Sequence, residues 1–291
     1  VLPLVNTGRS WVSLPHFSYG GIMSKNDSNI GSDVDLIHQL VFLIQNRKMA
    51  AGFYHIDMQD VLQIQNNSEQ FFIRTTNKPD ADTVFTKVSS ILPLPKTIGE
   101  LQNKLSSNLR RKIHKTVKNG LKVSVGEVKL LDLFYKIYAR KMYRLGSPAY
   151  GKKFFKTLME SWQFGETKIF LALNEKKVIG AAFLQSYFGF YENTWFATDE
   201  KFFKYYVSDY LHENMIKHAI SKGGKYYSFG RSTPGNGVYR YKNHWPVEDL
   251  PIYQFGENSR LKKHPEFGNL WKTMPRFITR PLGSYLIEHI Y

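Results

Sequence analysis

The segment KIFLALNEKKVIGAAFLQSYFGFYENTWFAT, residues 168–198, decides the fold. It contains three apolar runs rich in the β-branched and aromatic residues that favour strands: Lys168–Asn174, Val178–Phe188 and Phe190–Thr198. Turn-forming residues, Glu175-Lys176 and Gly189, separate the runs. This spacing predicts three successive strands joined by tight turns.

Helical spacing flanks this segment on both sides. The patterns before it predict two helical stretches in Thr97–Lys118, a strand at Leu121–Gly126, and helices at Lys129–Leu145 and Lys152–Trp162. The patterns after it predict a helix at Val207–Ser221, strands at Tyr226–Phe229 and Ile252–Phe255, and a short helix between those strands. Alternating helices and strands indicate an α/β sheet covered by helices.

The first third of the chain has its own set of elements. Strands are predicted at Val1–Val5, Trp11–Leu14, Phe53–Met58, Phe71–Thr76 and Val84–Ile91, with a helix at Asp33–Ala50. A length of 291 residues exceeds the usual size of one hydrophobic core. We therefore predict a first lobe at residues 1–95, a second lobe at residues 96–258 and a C-terminal helical tail at residues 259–291.

The charge balance points to an anionic partner. The chain has 40 Lys and Arg against 24 Asp and Glu, a formal net charge of +16, which attracts polyanions. It has no cysteine, which excludes disulfides and thiolate chemistry. Its apolar runs are shorter than the about 20 residues that a spanning helix needs. We expect a cytoplasmic protein, with peripheral contact to the inner face of the membrane as an open alternative.

Several short motifs occur in a fixed order along the chain. The first are Ser13-Leu14-Pro15, Tyr19-Gly20-Gly21 and Leu109-Arg110-Arg111-Lys112-Ile113. The later ones are Arg144-Leu145-Gly146-Ser147-Pro148, Phe229-Gly230-Arg231-Ser232-Thr233 and Tyr239-Arg240-Tyr241-Lys242. In this order they resemble the bacterial FemAB-like family, the relatives of the peptidoglycan Fem aminoacyltransferases. The resemblance extends over almost the whole chain.

The resemblance implies a tandem GNAT-like fold, with two α/β lobes whose mixed sheets are covered by helices. It also implies that the first elements of lobe one lie before Val1, and that the protein transfers an acyl or aminoacyl group to an amine. Two departures favour the exopolysaccharide-associated branch. The Gly-Phe-Gly ending of the peptidoglycan enzymes is replaced by Asn243-His244-Trp245-Pro246, and no long coiled-coil arm is visible.

Lys242 is the predicted catalytic residue, because the resemblance implies a functional lysine at this position. Attack of an amine on an ester or thioester builds negative charge on the carbonyl oxygen, which a cation stabilises. The alternative is a solvated surface lysine. Arg231 follows a predicted strand and either binds phosphate or carboxylate oxygens or forms an internal ion pair with Glu248 or Asp249.

Other predicted substrate-binding residues lie outside this region or beside it. Arg110 and Arg111 belong to the basic stretch Asn108–Lys118, which either neutralises phosphates or forms a solvated helix face. Tyr19, Gly20 and Gly21 suit the close approach of a substrate, or form a plain glycine turn. Tyr239 completes the set. No metal site is predicted, and none of the histidines has a carboxylate at a spacing that marks a general base.

The donor is predicted to be aminoacyl-tRNA or acyl-CoA, with no tightly bound cofactor. The stretch Lys201–Ser208, where a CoA pyrophosphate loop is expected, contains no glycine, so CoA is the weaker candidate. The predicted function is acyl or aminoacyl transfer to an amine of an anionic cell-envelope precursor, related to peptidoglycan or exopolysaccharide. The alternative is a non-catalytic GNAT-fold protein that binds anionic envelope polymers or lipid-linked intermediates.

The C-terminal tail has an unusual composition. Apolar residues, including Trp271, Phe277 and Tyr285, alternate with Lys272, Arg276 and Arg280. Helices that lie at a membrane interface often have this mixture. The sequence leaves two interpretations open, packing of the tail on the lobes or contact with the inner leaflet.

Overall fold

A computed structural model of the chain describes residues 4–6, 11–13, 87–163, 165–252 and 265–287. The chain divides into two compact units, the first formed by Val1–Ser89, Leu250–Lys263 and His289–Tyr291, and the second by Ser90–Asp249 and His264–Glu288. The predicted helix at Asp33–Ala50 and the predicted strands at Phe53–Met58 and Phe71–Thr76 lie outside the described residues. The predicted division into lobes and tail stays a prediction.

The first unit contains a small hairpin. Strands β1 (Leu4–Asn6) and β2 (Trp11–Ser13) pair antiparallel, with Val5 opposite Val12. These strands overlap two of the predicted ones.

A mixed sheet of seven strands forms the centre of the fold, in the order β4-β5-β6-β7-β8-β3-β9. The strands are β3 (Lys87–Pro93), β4 (Leu121–Gly126), β5 (Thr167–Asn174), β6 (Lys177–Tyr187), β7 (Phe190–Thr198), β8 (Tyr226–Ser232) and β9 (Glu248–Ile252). Strands β4 to β7 pair antiparallel, and β7 pairs parallel with β8. This confirms the predicted α/β class with a mixed sheet. Of the last predicted strand, Ile252–Phe255, only Ile252 lies within the described residues, and it belongs to β9.

Helices alternate with these strands. They are α1 (Ile98–Lys104), α2 (Ser107–Lys118), α3 (Leu131–Leu145), α4 (Lys152–Ser161), α5 (Val207–Ser221), α6 (Gly237–Lys242), α7 (Pro265–Thr273) and α8 (Arg276–Ile287). Local chemistry sets their ends: Ser106 Oγ accepts a hydrogen bond from the Leu109 amide at the start of α2, and Asn119-Gly120 follows its last residue. In the described part of the chain, no helix is long and apolar enough to cross a membrane.

The sheet buries both of its faces, because alternate strand residues point to opposite sides. On one side Ala182 and Leu184 of β6 join a core with Leu211 and Met215 of α5. On the other side Phe183 belongs to an aromatic cluster with Trp195 and Phe155, whose ring centroids are 5.1 to 5.8 Å apart. This two-sided burial explains why the strands of the 168–198 segment are nearly continuous apolar runs.

Gly146 ends α3 at a place where the backbone of α7 comes very close. It has a φ of +74°, and a Cβ at this position would lie 2.5 Å from the Gly268 carbonyl oxygen. Only glycine combines the left-handed backbone with this close approach. The tail helices are thereby held against α3.

We expect Gly146→Ala to lower the free energy of unfolding by about 3 kcal/mol, since it adds a steric clash to the left-handed strain. Gly120→Ala is the matched control, because Gly120 has the same φ of +74° and a Cβ added there would meet nothing within 4 Å. The control should cost only about 1 kcal/mol. Urea unfolding of both variants measures the difference, and equal losses would contradict the tight contact.

Candidate active site

Strands β7 and β8 run side by side for only part of their length. The parallel ladder pairs Phe190 with Tyr226, Tyr191 with Tyr227, and Glu192 with Ser228. Within the described residues the pairing ends there, although the strands continue to Thr198 and Ser232. The carboxyl ends of the two parallel strands therefore part. In open α/β sheets, ligands bind at such carboxyl ends.

Side chains from three elements gather between the parting strands. His212 of α5 stacks on Phe196 of β7 with 4.7 Å between ring centroids, and lies 4.6 Å from the ring of Phe229 of β8. Its Nδ1 is 2.8 Å from the Tyr227 hydroxyl. Complete burial, helped by the positive charge of Lys242, lowers the pKa of His212 to about 3. The imidazole is therefore neutral at physiological pH.

Lys242 is buried beside this histidine. The side chain lies at the end of α6 and is 5% exposed. Its Nζ donates hydrogen bonds to the carbonyl oxygens of Gly230, at 2.7 Å, and Arg231, at 3.0 Å. Gly230 has a φ of +72°, a conformation that favours glycine. The last residues of β8 thus direct two consecutive carbonyl groups at one ammonium.

The charge state of Lys242 depends on opposing influences. Burial lowers its pKa to about 8 and Arg231 adds to this effect, whereas the carboxylates of Glu192 and Asp249 raise the pKa. An ammonium has three N–H donors, and the hydrogen bonds among the described residues use two of them. At neutral pH the group is a buried cation, and its third donor has no hydrogen-bond acceptor among the described residues.

A second set of polar side chains lies around the first turn of α5. Asp209 is 4% exposed, and burial raises its pKa, while Lys112, Tyr241 and His244 lower it in part. Burial also raises the pKa of the Tyr241 hydroxyl well above its ordinary value. The start of α5 therefore contains a buried acidic side chain.

The segment before α5 is aromatic rather than glycine-rich. Glu200–Tyr205 forms a 3-10 helix, and Tyr206 adopts a left-handed φ of 54°. The ammonium groups of Lys112 and Lys115 each lie 5.7 Å from the centre of the Tyr206 ring. The basic stretch of α2 therefore reaches the same end of α5 as Asp209.

The residues that the sequence singled out fall in three places. Arg231 and Tyr239 lie near Lys242, on β8 and on α6. Arg231 forms no ion pair with Glu248 or Asp249 among the described residues, and Asp249 instead accepts hydrogen bonds from Ser90 Oγ at 2.7 Å and Asn243 Nδ2 at 3.3 Å.

The predicted arginines of α2 have local roles. The Arg110 guanidinium donates to the carbonyl oxygens of Gln102 and Leu105, at 2.8 and 2.7 Å, and so caps the end of α1. Arg111 is exposed and donates to Asn108 Oδ1 at 3.0 Å. Tyr19, Gly20 and Gly21 lie outside the described residues.

Sequence reasoning missed two buried polar residues of the central sheet. Glu192 and Gln185 are buried, and each stands in a strand that is otherwise mostly apolar. A polar residue within such an apolar run was the signal in the sequence that could have revealed them. His218 has a carboxylate partner that no sequence spacing indicated, since its Nε2 is 2.5 Å from a Glu166 oxygen. The two residues are 52 positions apart, so their contact depends on folding. No cluster of three His, Cys, Asp or Glu side chains in the described ranges could hold a metal ion.

Residues 103–243 match the family model described as an acetyltransferase (GNAT) domain. The fold is similar to the crystal structure of FemX, with a TM-score of 0.53 and 15% identity over 61% of this chain and 62% of that one. The chain thus spans less than two thirds of the length of FemX. No curated protein has significant sequence similarity to it.

Weaker similarity extends to another solved domain. The C-terminal domain of a putative lysylphosphatidylglycerol synthetase from Agrobacterium fabrum aligns with a TM-score of 0.47 and 13% identity, over 59% of this chain and 60% of that one.

His212 should make the fold sensitive to acid. Its pKa is about 3 in the folded protein, whereas the ordinary value of 6.5 applies to the unfolded chain. Between these two values the unfolded chain binds more protons than the folded protein, so the stability falls as the pH decreases through this window. The loss should reach about 3 kcal/mol by pH 4. In His212→Gln this part of the pH dependence should vanish, as measured by urea unfolding from pH 7 to pH 4.

The comparison uses the slope with pH, since loss of the ring stacking lowers the stability of His212→Gln at every pH. His114→Gln is the matched control for removing a histidine from an exposed position on α2. A wild-type slope retained in His212→Gln would show that another group carries the acid sensitivity.

Proposed function

We propose that this chain, whose residues 103–243 match the GNAT acetyltransferase domain and whose fold is similar to that of FemX, transfers an acyl or aminoacyl group to an amine of an anionic cell-envelope precursor. The acceptor is proposed to be a peptidoglycan or exopolysaccharide precursor. The ordered motifs of the FemAB-like resemblance support this choice.

One observation carries the proposal, the buried ammonium of Lys242 beside the parting ends of β7 and β8. The acceptor amine attacks the carbonyl carbon of the activated acyl group, and the carbonyl oxygen becomes negative. A cation fixed by two backbone carbonyls is already oriented, so it stabilises this charge without reorganising. Collapse of the intermediate forms the amide and releases the donor's alcohol or thiol, with the proton of the amine passing to the leaving group or to solvent.

The surroundings of α5 support aminoacyl-tRNA over acyl-CoA as donor. A pyrophosphate bound at a helix start needs free amide groups and a positive potential. Here the first turn contains the buried carboxyl group of Asp209, and the preceding segment is a 3-10 helix with large aromatic side chains. These features do not fit a CoA pyrophosphate, whereas the exposed basic side chains of α2 suit a polyanionic donor or acceptor.

The same observations favour one other function. Because the ammonium of Lys242 already binds two carbonyl oxygens, it also acts as a structural clamp on the end of β8. If this structural role is the only role of Lys242, the protein would bind anionic envelope polymers or lipid-linked intermediates without turnover. Binding without product formation would favour this alternative.

Lys242→Met should abolish transfer, because the substitution approximates the length of the side chain and removes its charge. The full chain is incubated with aminoacyl-tRNA or acyl-CoA and amine-bearing envelope precursors, and the mass of the acceptor is followed by mass spectrometry. We expect at least about a hundredfold loss of rate, as for removal of an oxyanion donor. Lys222→Met, on an exposed position just after α5, is the matched control and should keep wild-type activity.

Thermal unfolding of both variants separates chemistry from folding. A folded Lys242→Met protein with wild-type turnover would overturn the role of the lysine. If the wild-type chain bound the precursors but the mass of the acceptor did not increase with any donor, the proposed transferase activity would be overturned. This result would support the non-catalytic binding protein.

The pH profile tests the charge that the mechanism needs. If the charged lysine stabilises the oxyanion, the rate should fall as pH rises through about 8, where Lys242 loses its proton. The guanidinium of Lys242→Arg stays charged, so this falling limb should disappear in that variant. A rate that instead rises through about 8 and is lost in Lys242→Arg would indicate that the neutral amine acts as a base.

A further inference from the structure

A basic pocket that Lys242 does not line lies between α3 and the two tail helices. Its lining includes four cationic residues, Lys136 and Arg140 of α3 and Arg276 and Arg280 of α8, together with the aromatic rings of Tyr143 and Trp271. Cations from two different helices thus converge on one depression. Such a site is complementary to a phosphate group, which arginine binds bidentately.

The described residues neutralise only part of the charge of this pocket. Among the described residues, the only ion pair of these four cations joins Arg140 to Asp199, at 3.9 Å. Arg276 instead lies over the ring of Tyr143, with 5.0 Å between guanidinium carbon and ring centroid. Converging cations repel each other and raise the energy of the free protein, and an anion would relieve this repulsion.

The pocket has a fixed rim. The Tyr143 hydroxyl of α3 lies 2.6 Å from the carbonyl oxygen of Lys272 and 3.0 Å from that of Met274, at the end of α7 and in the turn before α8. Trp271 is 1% exposed and anchors α7 in the same region. The position of Arg276 and Arg280 relative to α3 therefore depends on packed contacts, which is the preorganisation that a binding site requires.

Helix α8 has an exposed apolar face. Consecutive helix residues are about 100° apart, which places five exposed residues within an arc of about 140°: Phe277, Ile278, Pro281, Leu282 and Tyr285. Phe277 is 78% and Tyr285 63% exposed. The opposite side, with Thr279, Gly283 and Ile287, is buried. Contiguous exposed apolar residues of this kind mark an interaction surface.

We propose that this part of the molecule binds the surface of an anionic membrane, with the exposed face of α8 inserted at the interface and a lipid phosphate in the pocket of Lys136, Arg140, Arg276 and Arg280. Apolar residues bordered by arginines are what an anionic bilayer surface attracts. A second copy of this chain is disfavoured as occupant, because each copy carries a net charge of +16. The proposal goes beyond acyl transfer and holds whether or not the protein is an enzyme.

Vesicle binding tests the proposal directly. The full chain is sedimented with vesicles of phosphatidylglycerol and phosphatidylcholine, and with vesicles of phosphatidylcholine alone. We expect binding to the anionic vesicles only. Arg276→Gln combined with Arg280→Gln should weaken it by about thirtyfold, since each basic residue at an anionic surface contributes about a fivefold factor. Phe277→Ser combined with Tyr285→Ser should weaken it by at least about tenfold.

Matched controls separate the site from general charge and hydrophobicity. Lys176→Gln with Lys222→Gln removes the same charge at exposed positions elsewhere, and Phe188→Ser removes an exposed aromatic ring from the turn between β6 and β7. Both should keep binding within about twofold of wild type, below the effect of one basic residue. Charge-control variants as weak as the pocket variant would overturn the proposal, as would binding insensitive to Phe277 and Tyr285.

A soluble phosphate is the other source of the same chemistry. Millimolar inorganic phosphate or glycerol phosphate should not release the protein from the vesicles at constant ionic strength, because these molecules do not engage the apolar face. If either compound released the wild-type protein from the vesicles but had no effect on the variant that combines Arg276→Gln with Arg280→Gln, the pocket would be a site for a soluble anion. This result would overturn the membrane site.

Discussion

The parting of β7 and β8 is the constraint on which the rest of the candidate site depends. Two parallel strands that separate after Glu192 and Ser228 leave a space that must be filled. His212 fills it by stacking between Phe196 and Phe229. Because a protonated imidazole would be costly there, the ring is neutral and hydrogen-bonded to Tyr227. The cation of the site is consequently supplied by the next element, α6, through Lys242.

A buried lysine requires compensation, and the fold supplies it from the backbone. The carbonyl oxygens of Gly230 and Arg231 accept its hydrogen bonds, and the carboxylates of Glu192 and Asp249 oppose the effect of burial on its pKa. The same arrangement has two consequences. It fixes the end of β8, and it keeps a charged group at the ends of two parallel strands, where open sheets bind their ligands. Structure and proposed chemistry therefore share one side chain.

Two regions of the described chain each bring several basic residues together. The exposed side of α2 carries one set of basic residues near the start of α5, where Lys112 and Lys115 flank Tyr206. Another set, with Arg276 and Arg280, converges beside the outward apolar face of α8. The first set is typical of a surface that binds a soluble polyanion. The second combines charge with exposed aromatic rings, which is the chemistry of a membrane interface.

Local patterns in the sequence by themselves determined the strands of residues 168–198, the helices around them, the α/β class and the basic character of the chain. These features depend on hydrophobic periodicity, turn residues and charge, which neighbouring positions express directly. Lys242 was singled out by its motif, but its burial and its two carbonyl partners were visible only in the fold. The contacts of His212 with Phe196 and Tyr227, of His218 with Glu166, and of Arg140 with Asp199 likewise join residues from separate elements. Only the tertiary structure decided these contacts, because sheet order and helix packing determine which distant side chains share a space, and burial then sets their pKa.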